Sequence, residues 1–274
     1  MRDRFGREID YMRISVIDSC NLNCYYCNPQ DNNKNCQAIN ILSVKKVLCI
    51  VRAATRLGIT HFRLTGGEPL LHPQLDEILA LCRRAGVTVN LTTNGTLLAQ
   101  KLPILLAQPP HQMNVSLHSA DDNDCIDMDT YIAQLFASCE TLLAQTDTEI
   151  SLRLWNTTGV PTLFGEKNCV IKRHLYVNVQ SPFEWPALNN AYCNDRGFCQ
   201  GLRQHMAVLS DGTVVPCCLD GNAIMALGNI FTTPLKDILA GERSVRFIEG
   251  FRAKRAVEPL CRHCSFKERF SHKM

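Results

Sequence analysis

The fold is decided by the stretch MRISVIDSCNLNCYYC, residues 12–27, in which an apolar segment runs directly into three closely spaced cysteines. Residues 12–17 predict a short strand that ends just before the first cysteine. Cys20, Cys24 and Cys27 follow, with three and then two residues between them. Thiolates this close in sequence can bind one metal centre from a single loop. The stretch therefore predicts a strand whose carboxyl end carries a metal site.

Strands and helices alternate along the chain after this stretch. Further strands are predicted at 60–64, 87–92, 113–117, 150–155 and 174–179, and helices at 44–57, 75–85, 97–106 and 130–143. Such alternation predicts parallel strands joined by right-handed crossovers. Six strands are fewer than a closed eightfold barrel needs. We therefore predict an α/β fold, a partial (β/α)6 barrel with its active site at the carboxyl ends of the strands.

The pattern changes beyond residue 180. Residues 181–196 are rich in proline, asparagine and aromatic residues and predict a linker. Residues 206–216 predict a β-hairpin that turns at Asp211-Gly212, and short helices are predicted at 235–240 and 244–252. We therefore predict two domains, a barrel-type core at 1–180 and a small cysteine-bearing domain at 181–274.

The composition narrows the class of protein. Fifteen cysteines among 274 residues are many for a protein that must keep its thiols reduced. The odd count, the tight clusters and the lack of a secretory signal favour metal binding over disulfides. The net charge of +3 is too small to indicate nucleic-acid binding, and no apolar run approaches the roughly 18 residues of a membrane helix. We expect a cytoplasmic protein with neither a membrane nor a nucleic-acid partner.

The first three cysteines suit an iron–sulfur cluster with one open position. Three thiolates can bind three irons of a cubane, which leaves the fourth iron without a protein ligand. A zinc site, or reduced thiols within the core, are the alternatives that the spacing leaves open.

A second motif, Gly66-Gly67-Glu68-Pro69, follows the predicted strand 60–64. Together with Cys20, Cys24 and Cys27 it resembles the radical S-adenosylmethionine (radical SAM) superfamily, and the resemblance covers the first 155 residues. It implies a 4Fe-4S cluster whose open iron chelates S-adenosylmethionine. In this family one electron cleaves a carbon–sulfur bond of S-adenosylmethionine, and the resulting 5′-deoxyadenosyl radical abstracts a hydrogen atom from the substrate.

The resemblance also implies residues that contact the cofactor. Gly66 and Gly67 would let the backbone approach the methionine amino group, where a Cβ would obstruct it. The implied cofactor-binding residues are Tyr26, Gly66, Gly67, Glu68, Asn94, Ser116, His118 and Arg153. Tyr26 would lie near the adenine, and Ser116, His118 and Arg153 near the ribose and the carboxylate. Ordinary turns or sheet hydrogen bonds are the alternatives at these positions.

A second cysteine set lies in the predicted C-terminal domain. Cys199, Cys217, Cys261 and Cys264 leave gaps of 17, 43 and 2 residues. This set resembles the truncated auxiliary-cluster domain, of SPASM or twitch type, found in many radical SAM enzymes. It implies a second 4Fe-4S cluster that four thiolates close, suited to accepting or relaying an electron. Cys218 is a rival for Cys217, Cys193 is a spare candidate, and a zinc knuckle is the alternative.

Two resemblances bear on the reaction. Residues 5–16 resemble the GTP cyclase of molybdopterin synthesis, whereas the C-terminal cysteine gaps resemble a compact dehydrogenase that oxidises a cyclitol. We expect an enzyme that oxidises or cross-links a substrate, with a small polar metabolite favoured. A maturase of a ribosomally made peptide and a GTP cyclase-like enzyme are alternatives. An iron–sulfur electron carrier and a zinc-binding module are the non-enzyme alternatives.

We also expect an electron donor such as flavodoxin or ferredoxin. Residues 243–274 contain nine Lys or Arg against three Glu, an excess that could meet such a partner or an anionic substrate. A solvated surface explains the same excess.

Overall fold

The computed structural model describes residues 9–24, 40–117, 126–155, 167–180 and 184–271. Its strands are β1 Tyr11–Ile17, β2 His61–Gly66, β3 Thr88–Thr93, β4 Gln112–Ser116, β5 Glu149–Trp155, β6 Cys169–Lys172, β7 Leu175–Gln180, β8 His205–Val208, β9 Thr213–Val215 and β10 Gly228–Asn229. Its helices are α1 Val44–Thr55, α2 Leu75–Arg84, α3 Leu98–Ala107, α4 Met128–Gln145, α5 Leu235–Ala240, α6 Glu242–Arg252, α7 Pro259–Arg262 and α8 Glu268–Ser271. The predicted elements are all observed, with boundaries that differ by a few residues. The α/β class is confirmed, and the strands within the described ranges do not close into a barrel.

The described residues form two compact units. The first contains residues 9–15, 45–62 and 184–271, and the second contains 16–24, 40–44, 63–117, 126–155 and 167–180. The first half of β1 belongs with the C-terminal segment because it pairs in parallel with β8, from Tyr11 opposite His205 to Ile14 opposite Val208. The predicted division at residue 180 follows the sequence motifs, whereas the two compact units follow the packing of the chain. The division stays a prediction.

The second unit contains the strand order β2-β3-β4-β5-β7-β6. The pairs β3–β4, β4–β5 and β5–β7 are parallel, as predicted, and β6 is antiparallel to β7. We did not predict β6 because all four of its residues are exposed, so its sequence lacks the apolar alternation of a half-buried strand.

The two faces of this sheet differ in polarity. On β3, Val89 and Leu91 are buried apolar residues, and they alternate with Asn90 and Thr92. Amphipathic helices cover apolar surface, and α2, which contacts β3, buries Ile78, Leu79, Leu81 and Cys82. The apolar face thus supplies the core, and the other face carries polar side chains.

The first unit contains the predicted hairpin. β8 and β9 pair antiparallel, and Asp211 accepts a hydrogen bond from the Thr213 backbone N–H at 2.8 Å. Gly212 adopts a φ of +94°, which favours glycine at this turn. Helices α5 and α6 lie where short helices were predicted. In the part of the chain that the structure describes, no helix has both the length and the apolar character needed to cross a bilayer.

Candidate functional site

Cys20 and Cys24 lie on the loop that follows β1, and both are half-buried. Two N–H groups point to the Cys20 sulfur: the Leu22 backbone N lies 3.5 Å from Sγ, and Asn94 Nδ2 lies 3.8 Å from it. Donors directed at sulfur favour a thiolate, which is the form that binds metal. The predicted site residues Tyr26, Cys27 and His118 lie outside the described residues.

Gly66 and Gly67 hold the end of β2 against the loop that carries Cys20. The Gly67 N–H donates to the Ile17 carbonyl at 2.8 Å, and the Glu68 N–H donates to the Ser19 carbonyl at 2.9 Å. A Cβ on Gly66 would collide with the Ile17 backbone, and one on Gly67 with the Ser19 backbone. The structure therefore adds a packing reason for both glycines to the predicted approach of the cofactor.

Glu68 is buried and linked to the chain itself. Its carboxylate accepts hydrogen bonds from the Leu70 N–H at 2.9 Å, the Thr93 hydroxyl at 2.7 Å and the Asn94 N–H at 2.7 Å. Burial raises its pKa to about 7, and these three hydrogen bonds oppose that rise. The contact of Glu68 with the cofactor stays a prediction, and the observed bonds join the end of β2 to the end of β3. Glu68 thereby positions Asn94.

Asn94, Ser116 and Arg153 lie side by side at the carboxyl ends of three parallel strands. Thr93 pairs with Val115, so Asn94 and Ser116 follow on adjacent strands, and Ser116 pairs with Arg153. The Arg153 guanidinium donates to Asn114 Oδ1 at 2.7 Å. The structure thus brings together these three predicted residues at the edge of the sheet where ligands of parallel folds bind.

A set of polar side chains that the sequence analysis did not identify lies on the polar face of the sheet. We call it the polar layer, and it consists of Asn90, Thr92, Asn114, Ser151, Arg153 and Asn178. Among the described residues, three of its buried atoms have no hydrogen-bond partner: Asn90 Oδ1, Thr92 Oγ1 and Asn114 Nδ2. Such atoms are rare in folded proteins, and a polar ligand bound at this face would complete them. Polar residues alternate with apolar ones along these strands, and this alternation is the feature of the sequence that could have identified the polar layer.

The four predicted auxiliary cysteines are neighbours in the first unit. Burial raises the pKa of the Cys199 thiol to about 11, and Cys264 adds to the rise. Burial also raises the pKa of Cys217 and Cys261 well above the ordinary value, and both of these thiols interact with Cys199. Lys267 opposes the rise in the pKa of Cys199, Cys261 and Cys264, but burial outweighs it. A cationic metal centre would compensate the ionisation of these thiols directly. The donor set therefore fits a metal centre.

The spacing of the thiols bears on the kind of metal centre. In the described ranges, no three His, Cys, Asp or Glu side chains approach closely enough to hold one ion. Thiolates on one tetrahedral zinc would lie about 3.8 Å apart. Among the described residues, the auxiliary cysteines therefore do not form so close a group. Cys217 interacts with Cys199 and Cys261, whereas Cys218 interacts with Cys217 and Cys264, so Cys218 stays a rival ligand, and Cys193 is exposed.

Two cations near these thiols were not predicted. Lys267 is only 2% exposed, and its Nζ donates to the carbonyls of Cys261 at 3.1 Å and of Cys264 at 3.2 Å. Burial lowers the pKa of Arg13, but Cys218, Tyr11 and Cys217 raise it, and the net shift is upward. The sequence does not distinguish Lys267 from the other basic residues near the C-terminus.

A buried carboxylate supports the same region. Glu258 accepts hydrogen bonds from Arg243 at 2.7 Å and from Arg246 at 3.3 Å. Arg243 also donates to the carbonyl of Ala226 at 3.0 Å, next to Met225, whose sulfur lies 3.4 Å from Cys261 Sγ. This network holds the Met225 loop against the auxiliary thiols.

Comparison with known protein families agrees with both cysteine sets. Residues 14–137 match the sequence model of the radical SAM superfamily, and residues 199–265 match that of SPASM, an iron–sulfur cluster-binding domain. A GTP 3′,8-cyclase from Thermodesulfovibrio yellowstonii is 44% identical over 126 residues, which are 45% of this chain and 39% of that protein. The match thus spans well under half the length of this curated relative.

Two solved structures share the fold. BtrN in complex with AdoMet and 2-DOIA has a TM-score of 0.63 and 18% identity, covering 94% of each chain. SuiB from Streptococcus suis, bound to the precursor peptide SuiA, has a TM-score of 0.65 and 16% identity, covering 98% of this chain and 74% of SuiB. Residues 14–137 of this chain are thus a radical SAM domain, and residues 199–265 are a SPASM-type iron–sulfur cluster-binding domain.

Proposed function

We propose that this chain is an enzyme that removes a hydrogen atom from a small polar substrate and oxidises or cross-links it. S-adenosylmethionine and a 4Fe-4S cluster, when bound, supply the 5′-deoxyadenosyl radical for this step. The observation that carries the proposal is the row of Cys20, Gly67, Asn94, Ser116 and Arg153 at one edge of the sheet.

Each residue of that row has a proposed task. Cys20, Cys24 and Cys27 hold the cluster, and Gly66-Gly67 keeps the adjoining backbone close to the Cys20 loop. Arg153 suits the carboxylate of the cofactor because its guanidinium offers a planar fork of donors. Ser116 lies opposite Arg153 in the register and offers a hydroxyl beside that fork. Tyr26 and His118 remain proposed contacts on the basis of the sequence.

We assign radical chemistry to residues 1–180 and the auxiliary cluster to residues 181–274. Loss of a hydrogen atom leaves an unpaired electron on the substrate, and completing an oxidation requires that this electron depart. A second 4Fe-4S cluster, closed by Cys199, Cys217, Cys261 and Cys264, is suited to accept it. Lys267 and Arg13 place positive charge near those thiols, which favours an added electron. An external donor such as flavodoxin or ferredoxin supplies the electron that starts the reaction.

The polar layer supports a small polar substrate. Asn114 and Ser151 are almost fully buried, and the unpartnered Asn114 Nδ2 offers a hydrogen-bond donor that an apolar group would leave unsatisfied. A maturase of a ribosomally made peptide is the second candidate, favoured by the likeness in fold to the peptide-bound SuiB structure. A GTP cyclase-like reaction is favoured by the N-terminal identity to the cyclase.

Anaerobic reconstitution tests the proposal. We expect brown protein with about eight irons if both clusters are cubanes, and release of 5′-deoxyadenosine from S-adenosylmethionine under dithionite. Changing Cys24→Ala should abolish this release, whereas Cys261→Ala should preserve it and stop product formation. Colourless, zinc-loaded protein would support the zinc-binding module. Protein with two clusters but no release would support the electron carrier.

A further inference from the structure

Three side chains form a closed ring of hydrogen bonds beside Cys20. Asn21 Nδ2 donates to the Thr96 hydroxyl at 2.8 Å, and that hydroxyl donates to Asn94 Oδ1 at 2.7 Å. Asn94 Nδ2 closes the ring by donating to Asn21 Oδ1 at 3.0 Å. We call these residues the amide ring. Within the ring each residue donates one hydrogen bond to the next residue and accepts one from the previous residue.

The ring fixes which end of the Asn94 amide faces the cysteine. The backbone N–H of Thr96 can only donate, and it too points to Asn94 Oδ1, at 3.0 Å. The oxygen therefore lies on the Thr96 side, and Nδ2 lies on the other. One hydrogen of Nδ2 is used by Asn21, and the second is directed at Cys20 Sγ, 3.8 Å away. A flipped amide would place the NH2 group against the Thr96 N–H, donor against donor, and the amide oxygen against the Cys20 sulfur.

The backbone N–H and the backbone carbonyl of Asn94 are also hydrogen-bonded. Its N–H donates to Glu68 at 2.7 Å, and its carbonyl accepts from the Tyr131 hydroxyl at 2.7 Å. The residue is only 7% exposed. Both backbone polar groups of Asn94 and both ends of its side chain thus have assigned partners, and the partners on the cysteine-bearing loop are Asn21 Oδ1 and the Cys20 sulfur.

We propose that Asn94 is a positioning residue that raises the reduction potential of the N-terminal cluster by donating an N–H to Cys20. This assignment rests on the proposed function, because it requires Cys20 to bind that cluster. Reduction adds negative charge that spreads onto the ligating sulfurs, and a donor at the sulfur stabilises that charge. The assignment differs from the predicted contact between Asn94 and S-adenosylmethionine.

The test is a redox titration of the whole reconstituted chain without S-adenosylmethionine. Electron paramagnetic resonance measures the fraction of each cluster that is reduced at each potential. The N-terminal cluster is the one whose signal is lost in Cys24→Ala. We expect Asn94→Ala to make its reduction about tenfold less favourable, which is about 59 mV for one electron. Asn94→Asp should lower the potential further, since it replaces the donor by a negative charge.

Asn90 supplies the matched control. It is an asparagine on β3, the strand that ends just before Asn94, and its Nδ2 lies 3.4 Å from Gln112 Oε1. Asn90→Ala and Asn90→Asp should leave reduction of the cluster within twofold of the unchanged protein. An unchanged potential in Asn94→Ala, or an equal shift in Asn90→Ala, overturns the inference. So does an Asn94→Ala protein that differs only in its affinity for S-adenosylmethionine.

A second measurement needs no variant at all. In the unchanged protein with 15N-labelled asparagine side chains, we expect a hyperfine coupling between the reduced N-terminal cluster and an amide nitrogen, and its absence overturns the inference. The proposed function has a separate readout, the release of 5′-deoxyadenosine. Protein that shows the Asn94 shift without that release would leave the inference standing and refute the proposed function.

Discussion

The hydroxyl of Thr92 provides a direct test of the polar layer. Thr92 Oγ1 is buried and has no hydrogen-bond partner among the described residues. Changing Thr92→Val keeps the branched shape and removes the polar atom. An unsatisfied buried polar group costs about 1–3 kcal/mol, so this substitution should raise the free energy of unfolding by about that amount. A stabilising substitution at a buried site is unusual, because most substitutions destabilise.

The neighbouring residue is a matched control with the opposite expected sign. The Thr93 hydroxyl donates to Glu68 at 2.7 Å and accepts from the Gly95 N–H at 2.9 Å. Thr93→Val makes the same chemical change but leaves a buried carboxylate and a backbone N–H each short of one partner. We expect it to lower the free energy of unfolding by about 2–4 kcal/mol.

Urea unfolding of both variants, monitored by far-ultraviolet circular dichroism under anaerobic conditions, measures both effects. If the free energy of unfolding falls with urea concentration at the same slope in each variant, the shifts reflect stability and not a change in the surface that unfolding exposes. If Thr92→Val destabilises the protein as Thr93→Val does, the Thr92 hydroxyl has a partner in the free protein. Only two atoms of the polar layer, Asn90 Oδ1 and Asn114 Nδ2, would then remain available to a polar ligand.

Three further substitutions test the supports of the two cysteine sets. Lys267→Met should lower the free energy of unfolding by about 3 kcal/mol, since it leaves buried carbonyls without a donor, and should reduce the iron bound at the auxiliary site. Arg243 and, less strongly, Arg246 lower the pKa of Glu258, so its contribution to stability is present above the unfolded pKa and is lost as pH falls through the folded value. Glu258→Gln should therefore reduce stability at pH 7 by about 1–3 kcal/mol and weaken the acid dependence measured by unfolding between pH 7 and about pH 3. Gly67→Ala should cost about 1–3 kcal/mol or more by forcing the Ser19 backbone apart, whereas Gly221→Ala, which meets nothing within 4 Å, should be nearly neutral in the same assay.

Sites formed by a few neighbouring residues could be predicted from the sequence. The loop with Cys20 and Cys24 and the knuckle with Cys261 and Cys264 are each specified by a few neighbouring residues. The strand and helix pattern was also readable, because an apolar face recurs with a fixed period in each type of element. The hairpin at Asp211-Gly212 was predicted on the same local grounds, from residues that favour tight turns.

Features that depend on distant partners were not predictable in this way. β6 forms because β7 offers it an edge, although its own residues show no burial pattern. The burial of Lys267 depends on carbonyls that the C-x2-C turn exposes. The role of Glu68 depends on Thr93 and Asn94, which lie 25 and 26 residues away.

The chain's order of residues was enough to establish the superfamily, the α/β class and the candidate metal ligands, because these rest on short motifs and on periodicity. Only the folded arrangement decided which polar groups face one another: the amide ring around Asn94, the unpartnered atoms of the polar layer and the electrostatic interactions among the auxiliary cysteines. These depend on strand register and on the meeting of distant segments. Shifting a strand by one residue would turn Asn94 or Asn114 to the opposite face, and no local propensity specifies that choice.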